Sequence, residues 1–127
     1  MSILDHAARR LSGIHAEQRA ARYLQKRGLR ILRRNFNCRF GEIDLIALDG
    51  DECLVFVEVR YRRSQRFGGA LASVTPRKQT RIRRAAGFFI ARQPRLALLA
   101  CRFDVVAIET GADTGRGEIS WIKNAFW

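Results

Sequence analysis

Only two prolines, two histidines and three cysteines occur among the 127 residues, and each scarcity closes off a class of explanation. Cys38, Cys53 and Cys101 are odd in number and widely spaced, with no Cys-x-x-Cys pair, so neither a disulfide framework nor a zinc knuckle is expected, and a reducing, cytoplasmic setting is. His6 and His15 stand in no His-x-x-x-His or His–Asp spacing, which argues against a transition-metal site. Long apolar runs are missing as well. The stretches 54–57 and 96–101 fall far short of the ~20 residues that a bilayer-spanning helix needs, so no membrane partner is expected. The first ten residues carry Asp5, His6, Arg9 and Arg10 and lack the apolar core of a secretory signal.

Acids are also few. Twelve Asp and Glu face 24 Lys and Arg, a formal charge of +12. Only Lys26, Lys78 and Lys123 are lysines, but a genomic preference for arginine exchanges one cation for the other and does not double cations over anions. A surface of this kind attracts polyphosphate through counterion release, so nucleic acid is the expected partner, with its type left open by charge alone.

What is present suits one packed domain over residues 1–127, with residues 1–11 expected outside the ordered part. Ser12 is placed to cap a helix over residues 15–27, with Ile14, Ala21, Tyr23 and Leu24 as its apolar stripe and Gly28 as its stop. Residues 29–35, 42–48 and 53–61 read as three extended runs, the last two joined by Asp49-Gly50-Asp51, a strong hairpin signal. Residues 61–75 are polar and basic, as a mobile loop would be. Thr75 and Pro76 open a second helix to about residue 92, buried through Ile82, Ala85, Ala86, Phe89 and Ile90 and ended by Pro94. Strands over 101–109 and 117–123 complete the chain, and Tyr23, Phe88, Phe89, Trp121 and Trp127 are expected in the core or an interface. The order predicts an α/β fold in which an antiparallel meander is followed by a crossover strand, giving a mixed sheet flanked by helices.

Chemistry concentrates on the middle of that sheet. Side chains alternate along a strand, so Glu58 and Arg60 share one face while Val55, Val57 and Val59 take the other. Asp44 lies on the preceding strand, with Ile43 and Leu45 turned to the opposite side, and can stand beside Glu58. Two carboxylates and a backbone carbonyl form a hard oxygen site suited to Mg²⁺ or Mn²⁺. An ion pair of Glu58 with Arg60 is the simpler use of the same residues. Asp104 reads as a paired structural carboxylate. Arg62, Arg63 and Arg66, with Arg77, Lys78, Arg81 and Arg84 on the second helix, flank the acids in sequence and form a candidate phosphate track.

The runs Arg39-Phe40-Gly41-Glu42-Ile43-Asp44-Leu45-Ile46-Ala47, Phe56-Val57-Glu58-Val59-Arg60 and Val74-Thr75-Pro76-Arg77-Lys78-Gln79 together resemble the YraN-like family of small bacterial proteins. The resemblance extends to Cys101-Arg102-Phe103-Asp104-Val105-Val106 and to Trp121-Ile122-Lys123-Asn124-Ala125-Phe126. That family is similar to the PD-(D/E)xK nucleases, which implies a restriction-endonuclease-like core and metal-dependent hydrolysis of phosphodiesters in DNA, branched or damaged DNA included. Carried over, the resemblance makes Asp44 and Glu58 the metal ligands, gives Val59 a ligating carbonyl, matches Glu17 to a helical acid near the metal, and matches Gln79 loosely to a helical glutamine. Arg60 stands where the pattern has Lys; it can stabilise charge but cannot act as a base, and Lys78 is the alternative cation. A silent module binding nucleic acid through the same basic surface is the rival reading, an assembly factor a third. A homodimer suits the cutting of two strands.

Overall fold

The computed structural model describes residues 3–62, 72–110 and 117–127. Helix α1 (Ile3–Lys26) leads into strands β1 (Leu29–Cys38), β2 (Gly41–Asp49) and β3 (Cys53–Arg62); helix α2 (Pro76–Ala91), a 3₁₀ turn (Leu96–Leu98), β4 (Ala100–Thr110) and β5 (Gly117–Phe126) follow. The strands form one mixed sheet in the order β1-β2-β3-β4-β5. All neighbours are antiparallel except β3 and β4, which α2 connects as a crossover. This is the expected α/β architecture, consistent with a restriction-endonuclease-like core.

The central strand explains why the sheet is covered on both sides. Val55, Val57 and Val59 pack with Ala16, Ala20, Ala21 and Leu24 of α1, whose small side chains bring that helix close. Leu54 and Phe56 pack instead with Ile82, Ala85, Ala86 and Phe89 of α2. A strand buried on both faces reads as a continuous apolar run, as residues 53–57 do. Phe56, 1% exposed, meets Phe89 edge-on at 6.3 Å and stacks on Phe103 at 5.5 Å. Truncating it to Ala removes about 3–5 kcal/mol of packing.

Local signals behave as expected at the helix start and the hairpin. Thr75 Oγ1 accepts from Lys78 N–H at 3.2 Å, with Pro76 in the first turn where its missing N–H is not needed. Gly50 takes φ +61° in the β2–β3 turn, which an L side chain adopts only with strain. At the other turn, Gly41 has φ +149°, and a Cβ there would stand 3.4 Å from Arg81 Cβ. This close approach seats the β1–β2 turn on α2.

Several expectations change. Helix α1 begins at Ile3, so Ser12 lies inside it and residues 3–11 belong to helix and not to a disordered tail. Ile14 is 45% exposed, because the stripe facing the sheet is Ala16, Ala20, Ala21 and Leu24. Trp127, expected in the core or an interface, is 90% exposed and so lies outside the core. Most of the basic loop over residues 61–75 lies outside the described residues.

Asp104 is structural, as read. Fully buried, it accepts from Arg102 Nε at 3.1 Å, Trp121 Nε1 at 2.9 Å and Asn124 N–H at 3.0 Å, tying β5 to β4. Arg102 in turn reaches Asp49 at 2.9 Å. Among the described residues, no helix is long and apolar enough to cross a membrane.

Candidate active site

The ladder between β2 and β3 runs from Asp49↔Cys53 to Leu45↔Val57 and ends there. Ile43 and Ile46, three residues apart, both pack under α2, while Leu45 and Ala47 face α1. Strict alternation would put Ile43 and Ile46 on opposite faces, so β2 breaks its pleat at Asp44. Leu45 therefore does not share a face with Ile43, contrary to the regular-strand expectation. The break frees the Asp44 carboxylate to replace a ladder bond: Oδ2 accepts the Val59 N–H at 2.8 Å.

Glu17 reaches the same point from α1. Its carboxyl hydrogen-bonds that of Asp44 and also the side chain of Asn35, a β1 residue with φ +51°. A bond between two carboxyls requires a proton between them; here it favours the protonated form of Asp44 and the charged form of Glu17. Asp44 rises from 3.8 to about 6, first through burial and then through the charge of Glu17, with the Val59 amide pulling the other way. Glu17 is raised chiefly by burial, with Glu42 and Glu58 adding to it.

Glu58 is more deeply held, with 4% of its surface exposed. Burial and the neighbouring Asp44 charge push it from 4.5 up to about 7, against the pull of Lys78 and Arg60. Lys78 Nζ lies 3.0 Å from Glu58 Oε1 and Arg60 Nη1 3.6 Å from the same oxygen. Arg60 is further pinned by its Nε, which donates to Ser73 Oγ at 2.7 Å. Acids from α1, β2 and β3 thus converge with a lysine from α2, and each of the two strand carboxyls sits well above its ordinary value.

This cluster suits a divalent cation with few protein ligands. The Asp44 charge raises the proton affinity of Glu58, and the charges of Glu17 and Glu42 that of Asp44, because negative oxygens are crowded in a partly desolvated space, and a cation among them would relieve that repulsion. Among the described residues, no set of three or more His, Cys, Asp or Glu is arranged to hold a metal by itself. Mg²⁺ is commonly held by one or two carboxylates plus water and substrate phosphate, so two protein carboxylates suffice.

Of the other residues singled out from the sequence, Val59 contributes an amide donor to Asp44. Gln79 sits one residue past Lys78 and spends its amide on the Val74 carbonyl at 3.0 Å. Arg77, Arg81 and Arg84 are exposed on α2. Arg63 and Arg66, and the side chain of Arg62, lie outside the described residues. Sequence reading missed Asn35 and Ser73. Neither belongs to a recognisable spacing, and only the folded contacts bring them to Glu17 and Arg60.

The profile of the uncharacterised protein family UPF0102 matches residues 16–108, which span α1 to β4 and include every residue of the cluster. The UPF0102 protein of Nitrosococcus oceani is 51% identical over 122 residues, covering 94% of each chain. That of Alcanivorax borkumensis is 51% identical over 117 residues and 91% of each chain. A UPF0102 protein of Pseudomonas fluorescens is 48% identical over 115 residues, covering 91% of this chain and 92% of its own. The chain belongs to the UPF0102 family, the YraN-like group of uncharacterised bacterial proteins whose motifs its sequence carries.

Proposed function

We propose that the protein is a metal-dependent nuclease that hydrolyses phosphodiester bonds in nucleic acid, DNA in the first instance. The observation carrying this reading is the meeting of Asp44 and Glu58, both raised by burial and by neighbouring carboxylates, with Lys78 and Arg60 at the Glu58 carboxylate. Asp44 and Glu58 are the residues to hold Mg²⁺ or Mn²⁺, and the Val59 carbonyl is the further ligand suggested by the family resemblance. When bound, the cation supplies Lewis-acid polarisation and neutralises phosphate charge.

The chain's own residues account for the remaining steps. Val59 N–H and the Glu17 carboxyl fix the orientation of Asp44. Arg60, anchored on Ser73 and unable to lose its proton, holds positive charge toward the scissile phosphate. Lys78 can both stabilise charge and exchange a proton, so it takes the part that the Arg at position 60 cannot. Gln79, one residue further along α2, braces the turn that presents Lys78 by binding the Val74 carbonyl. The exposed arginines of α2 supply sequence-indifferent attraction to the phosphate backbone.

The Glu58–Lys78 ion pair also favours a second reading, a binding module without hydrolysis in which the acid simply anchors α2 to the sheet. Cleavage of plasmid, single-stranded and junction DNA in Mg²⁺, Mn²⁺ or EDTA separates the two. The nuclease reading expects metal-dependent cutting that Asp44→Asn abolishes. Equal cutting by Asp44→Asn, or none by the wild-type protein on any of these substrates, refutes it.

A further inference from the structure

Two cavities, one at each end of α2, mark a groove between that helix and β1, which run antiparallel. At the start of α2 a cavity of about 520 Å³ lies between Asn37 and Gly41 on one wall and Arg77, Lys78 and Arg81 on the other. At its far end a second, of about 340 Å³, sets Arg30 and Arg33 opposite Arg95 over a floor that includes Phe89 and Leu96. Lys78, which contacts Glu58, lines the first, so the groove leads away from the carboxylate cluster.

Between the cavities lie aromatic rings. Phe88 meets Phe36 at 6.3 Å and Phe40 at 5.9 Å. Guanidinium groups cover them: Arg92 is 3.5 Å from the Phe88 centroid, Arg39 4.8 Å from that of Phe40, and Arg33 5.5 Å from that of Phe36. On α2, positions 77, 81, 84 and 88 recur at helical spacing, and Arg92 and Arg95 prolong the row past the helix end. No acid occurs from residue 76 to residue 101. Among the described residues, Arg77, Arg81, Arg84 and Arg95 take part in no ion pair. Such a row of like charge is self-repelling and calls for a polyanion.

A row of arginines beside the partly exposed rings of Phe40 and Phe88, with Phe36 buried behind them, is the combination that holds unpaired strands: cations follow the phosphates and rings stack the bases, which a duplex keeps to itself. We infer that the groove between α2 and β1 is a track for single-stranded nucleic acid leading to the Asp44–Glu58 cluster. Helix α2 alone provides about 24 Å at 1.5 Å per residue, long enough for several nucleotides. That the strand is cut at the near end rests on the proposed hydrolysis; that it binds along the groove does not.

The test is binding in EDTA with Asp44→Asn protein, so that nothing is cut. Fluorescence anisotropy is read with oligo-dT and oligo-rU of about 12 nucleotides, within the range of known single-strand sites, and with a blunt duplex carrying the same number of phosphates. Adding Arg30→Gln and Arg95→Gln, which remove only exposed distal cations, is expected to weaken at least one of the two homopolymers about tenfold. Its log–log salt slope should fall by about 1.4, two phosphate contacts at about 0.7 each, while the duplex changes less than twofold. Unaltered affinity and slope with both homopolymers, or a duplex bound as tightly as the strand and weakened equally, overturns the track. Failure of the wild-type protein to cleave refutes the hydrolytic reading without touching this one.

Discussion

Replacing Glu58 with Gln should make the metal-free protein more stable at alkaline pH, although it removes two ion pairs. The carboxyl ordinarily titrates at 4.5 and is pushed up to about 7 in the fold, mainly by burial and then by Asp44. A group whose folded pKa exceeds its unfolded value binds more protons folded than unfolded between those two values. Its stabilising contribution is complete below the unfolded value, falls as pH rises, and is gone above the folded one. At about 1.4 kcal/mol per pH unit, roughly 2–3 kcal/mol should disappear between pH 5 and pH 8. Gln keeps the shape and carries no titration. Lys78 and Arg60, 34% and 26% exposed, keep contact with water and lose little. Urea unfolding in EDTA at the two pH values reads the difference, which should grow by that amount in favour of the variant. Saturating Mn²⁺ at pH 8 should then restore the wild type by about 3 kcal/mol at a hundredfold excess over Kd and the variant by much less. Parallel stability curves for the two proteins, with equal response to Mn²⁺, would refute the reasoning.

The other predictions address the surroundings of the cluster. Lys78→Gln should lower kcat for cleavage roughly 100-fold with a severalfold change in KM; an identical loss in Arg77→Gln would reduce Lys78 to one phosphate contact among many. Gly41→Ala should destabilise the fold by about 1–2 kcal/mol in urea melts, since it strains a positive φ and presses on Arg81; an unchanged midpoint contradicts the seating of that turn on α2. Asp104→Ala should remove about 3–5 kcal/mol by leaving Arg102 and two further donors without their acceptor; a small loss would mean that β5 docks by packing alone.

The fold was largely legible in the sequence because its signals are local. The Asp49-Gly50-Asp51 turn, the Thr75–Pro76 helix start and the alternation through 53–60 each report on a few adjacent residues, and each appears where expected. Asp44 and Glu58 stood out for a similar reason, as acids embedded in apolar strands. What escaped depends on contacts between elements. The broken pleat at Asp44 turns its carboxylate toward Glu17 and follows from where the β2–β3 ladder ends, which no periodicity encodes. The Lys78–Glu58 pair needs the crossover to bring the start of α2 over β3. The early start of α1 was missed because Ser12 and Gly13 imitate a helix boundary.

A crystal grown at pH 8 and soaked in Mn²⁺ tests the central claim most directly, since an anomalous difference map locates the ion without any knowledge of substrate. The account predicts one peak in contact with both the Asp44 and Glu58 carboxylates, absent in Asp44→Asn. No peak at that position in the wild-type protein, with Glu58 still paired to Lys78, would contradict it.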